Sequence, residues 1–158
     1  MNEEMYISEV KYERPTDKAE EWLNRNYHDF LQLEADRRML QFLENKLAGG
    51  VAVYENDGTG THDPEKSKQR REENLLLYSE LKRKIEENEI QLVKETMKTR
   101  ERIDRLSNSE YIAVATDRYI NRLKWSDISK IEHMSKQKLY QIRVSLLKEM
   151  VDILRDII

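Results

Sequence analysis

The chain has 158 residues, of which 38% are hydrophobic and 37% are charged. Compact globular domains carry about 25% charged residues, so this composition favours long helices that bury narrow apolar stripes. Only 4 glycines and 2 prolines are present, which argues against an all-β fold with its many tight turns. The expected fold class is therefore all-α.

Cysteine is absent, which excludes disulfides, cysteine-based zinc sites and thiol nucleophiles. The N-terminal sequence MNEEMYISEV is acidic and lacks the apolar core of a signal peptide. No run of about 18 apolar residues occurs, so no membrane-spanning helix is expected. We expect a cytoplasmic protein that has no membrane partner.

The first two thirds of the chain predict a long helical hairpin. Residues 1–16 are expected to form an N-terminal arm that ends near a proline. Apolar residues at three- and four-residue spacings predict one amphipathic helix from about residue 17 to residue 48. Residues 49–64 contain all 4 glycines and are interpreted as a flexible connection. A second helix continues to Leu106, so residues 17–106 would form a coiled-coil-like antiparallel pair.

The second long helix has a sparse apolar stripe that includes Leu77, Leu81, Ile85 and Leu92. A helix of some forty residues, about 60 Å long, is not stable in isolation on such a stripe. The two helices also expose more apolar surface than one antiparallel pair can cover. We therefore expect a homodimer built mainly by residues 17–106.

Positive charge is concentrated near the C-terminus. Residues 1–62 carry 7 basic and 13 acidic side chains, a balance of −6. Residues 118–148 carry 8 basic and 2 acidic side chains, a balance of +6. Such asymmetry is typical of a protein with a nucleic-acid-binding segment, although a basic stretch can also be only a solvated surface.

Residues 107–158 predict a separate unit of three shorter helices with a core of their own. The first runs from Ser109 to about Leu123 and the second from Trp125 or Ser126 to Glu132. His133 and Met134 form the turn, and Ser135 caps a third helix that continues to the C-terminus. A short helix, a tight turn and a longer helix make a helix-turn-helix. The expected core residues are Ile112, Tyr119, Ile120, Trp125, Ile128, Ile131, Leu139, Ile142, Leu146, Leu147 and Met150.

The third of these helices has the composition of a DNA-reading helix. In a helix-turn-helix the second helix enters the major groove, where amide and cationic side chains contact base edges. The stretch from Ser135 to Leu147 contains no acidic residue. The expected DNA-binding residues are Lys124, Lys130, Ser135, Lys136, Gln137, Lys138, Tyr140, Gln141 and Arg143.

These residues also resemble a known family. The run Trp125-Ser-Asp-Ile-Ser129, then Ser135, then Leu139-Tyr-Gln-Ile142 and Leu147, is similar to the promoter-binding fourth region of bacterial sigma factors. The pattern W-x-E-I-A…S-x-x-x-V-Y-x-I…A-L is found in phage-encoded late transcription regulators of the ArpU and RinA type. The segment from Arg118 to Ile120 fits the R-Y part of that pattern. The specific resemblance covers about residues 111–150.

The resemblance implies a regulator that binds double-stranded DNA upstream of late phage genes and activates them, with RNA polymerase as a further partner. Two residues depart from the pattern. His133 stands where the family often has glycine, so the turn would place a non-glycine residue at positive φ with some strain. Glu132 replaces an apolar residue, which would loosen the end of that helix.

Catalysis is not expected, because the sequence has no P-loop, nucleophile elbow or metal-ligand spacing. His28, His62 and His133 are far apart in sequence, and the acidic pairs lie in charge-dense helices where carboxylates are solvated. Neither a cofactor nor a metal is expected. Trp22 and Trp125 are interpreted as core anchors.

Two other functions remain open. Small terminase subunits of phages also join a helix-turn-helix to an oligomerising helical hairpin, but their DNA-binding unit is usually N-terminal. A helical scaffold for protein interactions would have no use for an acid-free, basic helix. Determining which part of the chain binds DNA would distinguish these two functions from that of a regulator.

Overall fold

The computed structural model describes residues 13–49 and 63–158, and within them every regular element is a helix. The prediction of an all-α fold is confirmed. None of the described helices is apolar over a length that would cross a bilayer. Most of the predicted N-terminal arm and of the glycine-containing connection lies outside the described residues. The helices are α1 (Pro15–Leu23), α2 (Tyr27–Ala48), α3 (Pro64–Ile103), α4 (Ser109–Ala115), α5 (Trp125–Ile131) and α6 (Lys136–Ile153).

The single helix predicted from residue 17 to residue 48 is in fact two helices. The break lies at Asn24–Asn26, where asparagine has a low helix propensity. The Arg25 guanidinium donates to the Thr99 hydroxyl at 2.9 Å and to the Glu95 carbonyl at 3.0 Å. The partners in these two contacts are 74 and 70 residues apart in sequence. Because they are tertiary, the local apolar spacing gave no sign of the break.

The described residues divide into two compact units, and residues 27–94 form one of them. In this unit Arg37 pairs with Glu89 at 2.7 Å, and the Tyr78 hydroxyl donates to Glu44 at 3.1 Å. The partner numbers fall along α3 as they rise along α2, so these parts of the helices run antiparallel. The buried apolar residues here are Leu33, Leu43 and Ile85.

The other unit contains residues 13–26 and 95–158. The predicted boundary between residues 106 and 107 therefore falls inside this unit. Ala19 and Leu23, four residues apart on one face of α1, are buried in the same core as α4, α5 and α6. Ile103 and Leu106 at the end of α3 join them. The C-terminal helices thus share a core with two segments from earlier in the chain.

Candidate nucleic-acid interface

The C-terminal helices follow the predicted order of short helix, turn and longer helix. Helix α5 has 7 residues and α6 has 18. Between them His133 adopts a φ of 52°, which is the left-handed conformation expected at this point of the turn. Ser129 stabilises the turn, because its hydroxyl donates to the Met134 carbonyl at 2.6 Å and its carbonyl accepts from the Met134 N–H at 2.9 Å. This role of Ser129 was not predicted, because no local sequence pattern indicates it.

Ser135 caps α6 as predicted. Its side chain accepts a hydrogen bond from the Lys138 N–H at 3.1 Å, which satisfies one of the free donors at the start of the helix. The predicted core side of α6 is confirmed as well. Its buried residues are Leu139, Ile142, Leu146, Leu147 and Met150. The helix ends at Ile153, slightly before the C-terminus.

The first helix of the three ends earlier than predicted. Helix α4 continues into a π-helical turn at Thr116–Ile120, and the chain then leaves the helix with Arg122 at a φ of 58°. The Arg118 guanidinium donates to the Leu123 carbonyl at 3.0 Å, which holds the connection to α5 in place. Arg118 therefore contributes to the fold of this segment as well as to its charge.

Eight of the nine predicted DNA-binding residues are exposed on α5, the turn and α6, and only Arg143 is partly covered. Gln137 and Gln141 lie on the side of α6 opposite its buried residues, and Tyr140, which is 64% exposed, lies on the flank of that side. A shallow pocket lies beside them. It is lined by Trp125, Ser126, Lys136, Leu139, Tyr140 and Arg143.

Arg143 does not have the free guanidinium that a base-reading residue needs. One of its terminal nitrogens lies 2.8 Å and 3.1 Å from the two carboxylate oxygens of Glu20 on α1. The guanidinium also lies 5.1 Å from the centre of the Trp125 ring. The packing of α1 brings Glu20 against Arg143, so base reading by Arg143, which stays a prediction, requires this pair to open. Sequence spacing could not show this contact, which joins residues 123 positions apart.

Trp125 anchors the three helices, as predicted. Its ring makes an edge-to-face contact with buried Tyr119, with the ring centres 6.5 Å apart. The guanidinium of Arg118, like that of Arg143, lies 5.1 Å from the Trp125 ring centre. The third arginine of the basic segment, Arg122, donates to the Ile120 carbonyl at 3.2 Å, so all three arginines of the segment are engaged in internal contacts. The exposed cations of the segment are Lys124, Lys130, Lys136, Lys138 and Lys148.

Two groups near this surface have shifted pKa values. Burial raises the pKa of the Tyr119 hydroxyl, and the negative charge of Glu20 adds to the shift. The Asp117 carboxyl favours the protonated, hydrogen-bonding form of Glu132 at the end of α5 and so raises the pKa of Glu132, with burial as the second cause. Lys138 is paired with Glu110 at 3.4 Å, but both side chains are exposed, so the pair holds Lys138 only weakly.

The described residues contain no group of three or more acidic or histidine side chains that could hold a metal ion. No protein-family model, curated protein or solved structure matches this chain. The chemistry of the α6 surface is that of exposed amides, one exposed tyrosine and exposed lysines. Such groups suit polar base edges flanked by phosphates.

Proposed function

We propose that the protein is a sequence-specific regulator of transcription that binds double-stranded DNA with α5, the turn and α6 as a helix-turn-helix. The observation that carries this proposal is the outward side of α6. It begins with a capped N-terminus, has no acidic residue in its first turn and exposes Gln137, Tyr140 and Gln141 together. This combination suits a groove-binding helix, because a carboxylate that faced the phosphates would be repelled by them.

The exposed residues fall into two roles. Gln137 and Gln141 are one helical turn apart and carry amides, which can form paired hydrogen bonds with adenine. Lys124 and Lys130 lie at the start and near the end of α5, where a helix-turn-helix crosses the DNA backbone, and we assign them to phosphates. Lys136, in the first turn of α6, has the same role.

The wider biological role rests on the resemblance to phage late regulators of the ArpU and RinA type. It supports an activator of late phage genes that functions in the bacterial cytoplasm and touches RNA polymerase. A homodimer belongs to the same proposal, since two copies present two reading helices to a two-part site. Exposed apolar residues on α2 and α3, among them Phe42 at 53% and Ile90 at 59%, support a second copy.

Binding to short duplexes at several salt concentrations tests the DNA-binding role. We expect Lys130→Ala to weaken binding to every duplex alike and to reduce the slope of log affinity against log salt by about 0.9, the value of one phosphate contact. Lys82→Ala is the control, because this exposed lysine of α3 lies outside the proposed interface. Equal losses in both variants, or no binding of the unmodified protein at low salt, would contradict the proposal.

A further inference from the structure

One side of α3 carries apolar residues that the described part of the chain leaves largely exposed. Leu76 is 61% exposed, Ile90 59%, Val93 57% and Met97 66%. Successive residues of a helix are about 100° apart around its axis. By this spacing the four residues cluster on one side of α3, roughly 120° around the axis from buried Ile85. They therefore form a second apolar stripe, separate from the one that is covered within the unit of residues 27–94.

The stripe belongs to a row with the spacing of a coiled-coil seam. Its members alternate between steps of four and three residues over the length of α3. We call these positions the α3 row. They are Glu72, Leu76, Ser79, Arg83, Glu86, Ile90, Val93 and Met97.

The α3 row is complementary to itself in the antiparallel direction. Suppose that α3 of a second copy packs antiparallel to the first, with the two helices related by a two-fold axis midway between Arg83 and Glu86. Arg83 of each copy then faces Glu86 of the other. In the same register Leu76 faces Val93, and the small Ser79 faces Ile90. A parallel pairing would instead place Arg83 against Arg83 and Glu86 against Glu86, where like charges repel.

The central arginine is open to such a contact. Arg83 lies 3.7 Å from Glu87 on its own helix, with 75% of the Arg83 side chain and 65% of the Glu87 side chain exposed. An exposed pair of this kind holds its partners weakly. The Arg83 guanidinium can therefore bind a carboxylate from a second chain without breaking a buried interaction.

We propose that two copies of the chain pair through the α3 row in antiparallel direction, with a two-fold axis between Arg83 and Glu86. Each copy uses the same surface, so the interface is closed and no further copies add to it. The inference deepens the homodimer of the proposed function by naming its surface. The pairing itself does not require DNA, so the two can be tested separately.

Cross-linking tests the direction directly, because the chain has no cysteine of its own. Leu76→Cys and Val93→Cys are made in separate full-length chains and oxidised alone or as a mixture. In the antiparallel dimer the two copies of residue 76 are about 25 Å apart, at ~1.5 Å per residue, which is far beyond the reach of a disulfide. We expect cross-linked dimer in the mixture and little in either protein alone. Gln91→Cys, on the opposite flank of α3, should not cross-link with either.

Charge exchange at the centre provides a second measurement. We expect Arg83→Glu to raise the dimer dissociation constant at least tenfold by light scattering, and the double exchange Arg83→Glu with Glu86→Arg to restore it. Cross-linking of each single variant to itself would establish a parallel pairing and overturn the inference. A monomer that still binds DNA would also overturn it while leaving the DNA-binding role intact. An antiparallel dimer without DNA affinity would support the inference and contradict the proposed function.

Discussion

At the scale of single residues, Arg143 and Glu20 show that a tertiary ion pair can compensate the charge of a residue in a basic segment. Arg143 is one of the 8 basic residues of segment 118–148, yet its charge is compensated by Glu20 at 2.8 Å. A carboxylate and a phosphate are alternative partners for the same guanidinium. Under the proposed function, Glu20 and a DNA phosphate are competing partners for Arg143, whose side chain is 36% exposed.

Removing the charge of Glu20 should release Arg143 to a phosphate. We expect Glu20→Gln to strengthen binding to duplexes of any sequence and to steepen the salt dependence by about 0.9 in slope, as one added phosphate contact would. Glu21→Gln is the matched control, since it removes the same charge from an exposed neighbour on α1. Salt-titrated fluorescence anisotropy measures both variants. If log affinity fell with log salt at the same slope in both variants, Arg143 would have no access to DNA.

Glu132 gives the stability of the fold a dependence on pH. Its pKa is raised in the folded protein by Asp117 and by burial, so the fold favours the protonated form. Its stabilising contribution is therefore present at acid pH and is lost as the pH rises through the folded pKa. We expect Glu132→Gln to raise the free energy of unfolding at pH 7 by less than about 1 kcal/mol, because the carboxyl is partly solvated. The difference in stability between the variant and the unmodified protein should vanish near pH 4. An equal gain in stability at pH 7 and near pH 4 would contradict this account.

At the scale of elements, helices that depend on local patterns were predictable and contacts across the chain were not. The serine cap at Ser135 and the buried side of α6 follow from the residue type and the 3.6-residue period. The break at Asn24–Asn26 depends on Arg25 binding Glu95 and Thr99, and the engagement of Arg143 depends on Glu20. No local pattern encodes these pairings, because the partners are far apart in sequence.

The turn between α5 and α6 contains a non-glycine residue in the left-handed backbone conformation. A histidine at a φ of 52° is less favourable than a glycine, which has no Cβ to clash. We expect His133→Gly to stabilise the protein by up to about 1 kcal/mol, after the entropy that glycine adds to the unfolded chain is offset. His133→Ala keeps the strain and serves as the control in chemical denaturation. If the glycine variant were the less stable of the two, the turn would not be limited by this backbone conformation.

At the scale of the whole molecule, the two compact units correspond to two proposed tasks. The unit of residues 13–26 and 95–158 presents the α6 surface, whereas the α3 row lies mainly in residues 27–94. Composition and charge were enough to predict the all-α class and the basic C-terminal segment. They could not show that α1 belongs to the C-terminal core, because the burial of Ala19 and Leu23 depends on partners 80 or more residues away.

The outward side of α6 is the surface proposed to read base sequence. Selection of bound duplexes from a random pool by the full-length protein, followed by sequencing, tests it most directly. We expect one preferred site for the unmodified protein and loss of preference at a few adjacent positions for Gln141→Ala, with overall affinity reduced by about 1–3 kcal/mol. Gln91→Ala, on α3, should select the same site as the unmodified protein. An unchanged site for Gln141→Ala, Gln137→Ala and their combination would contradict the claim.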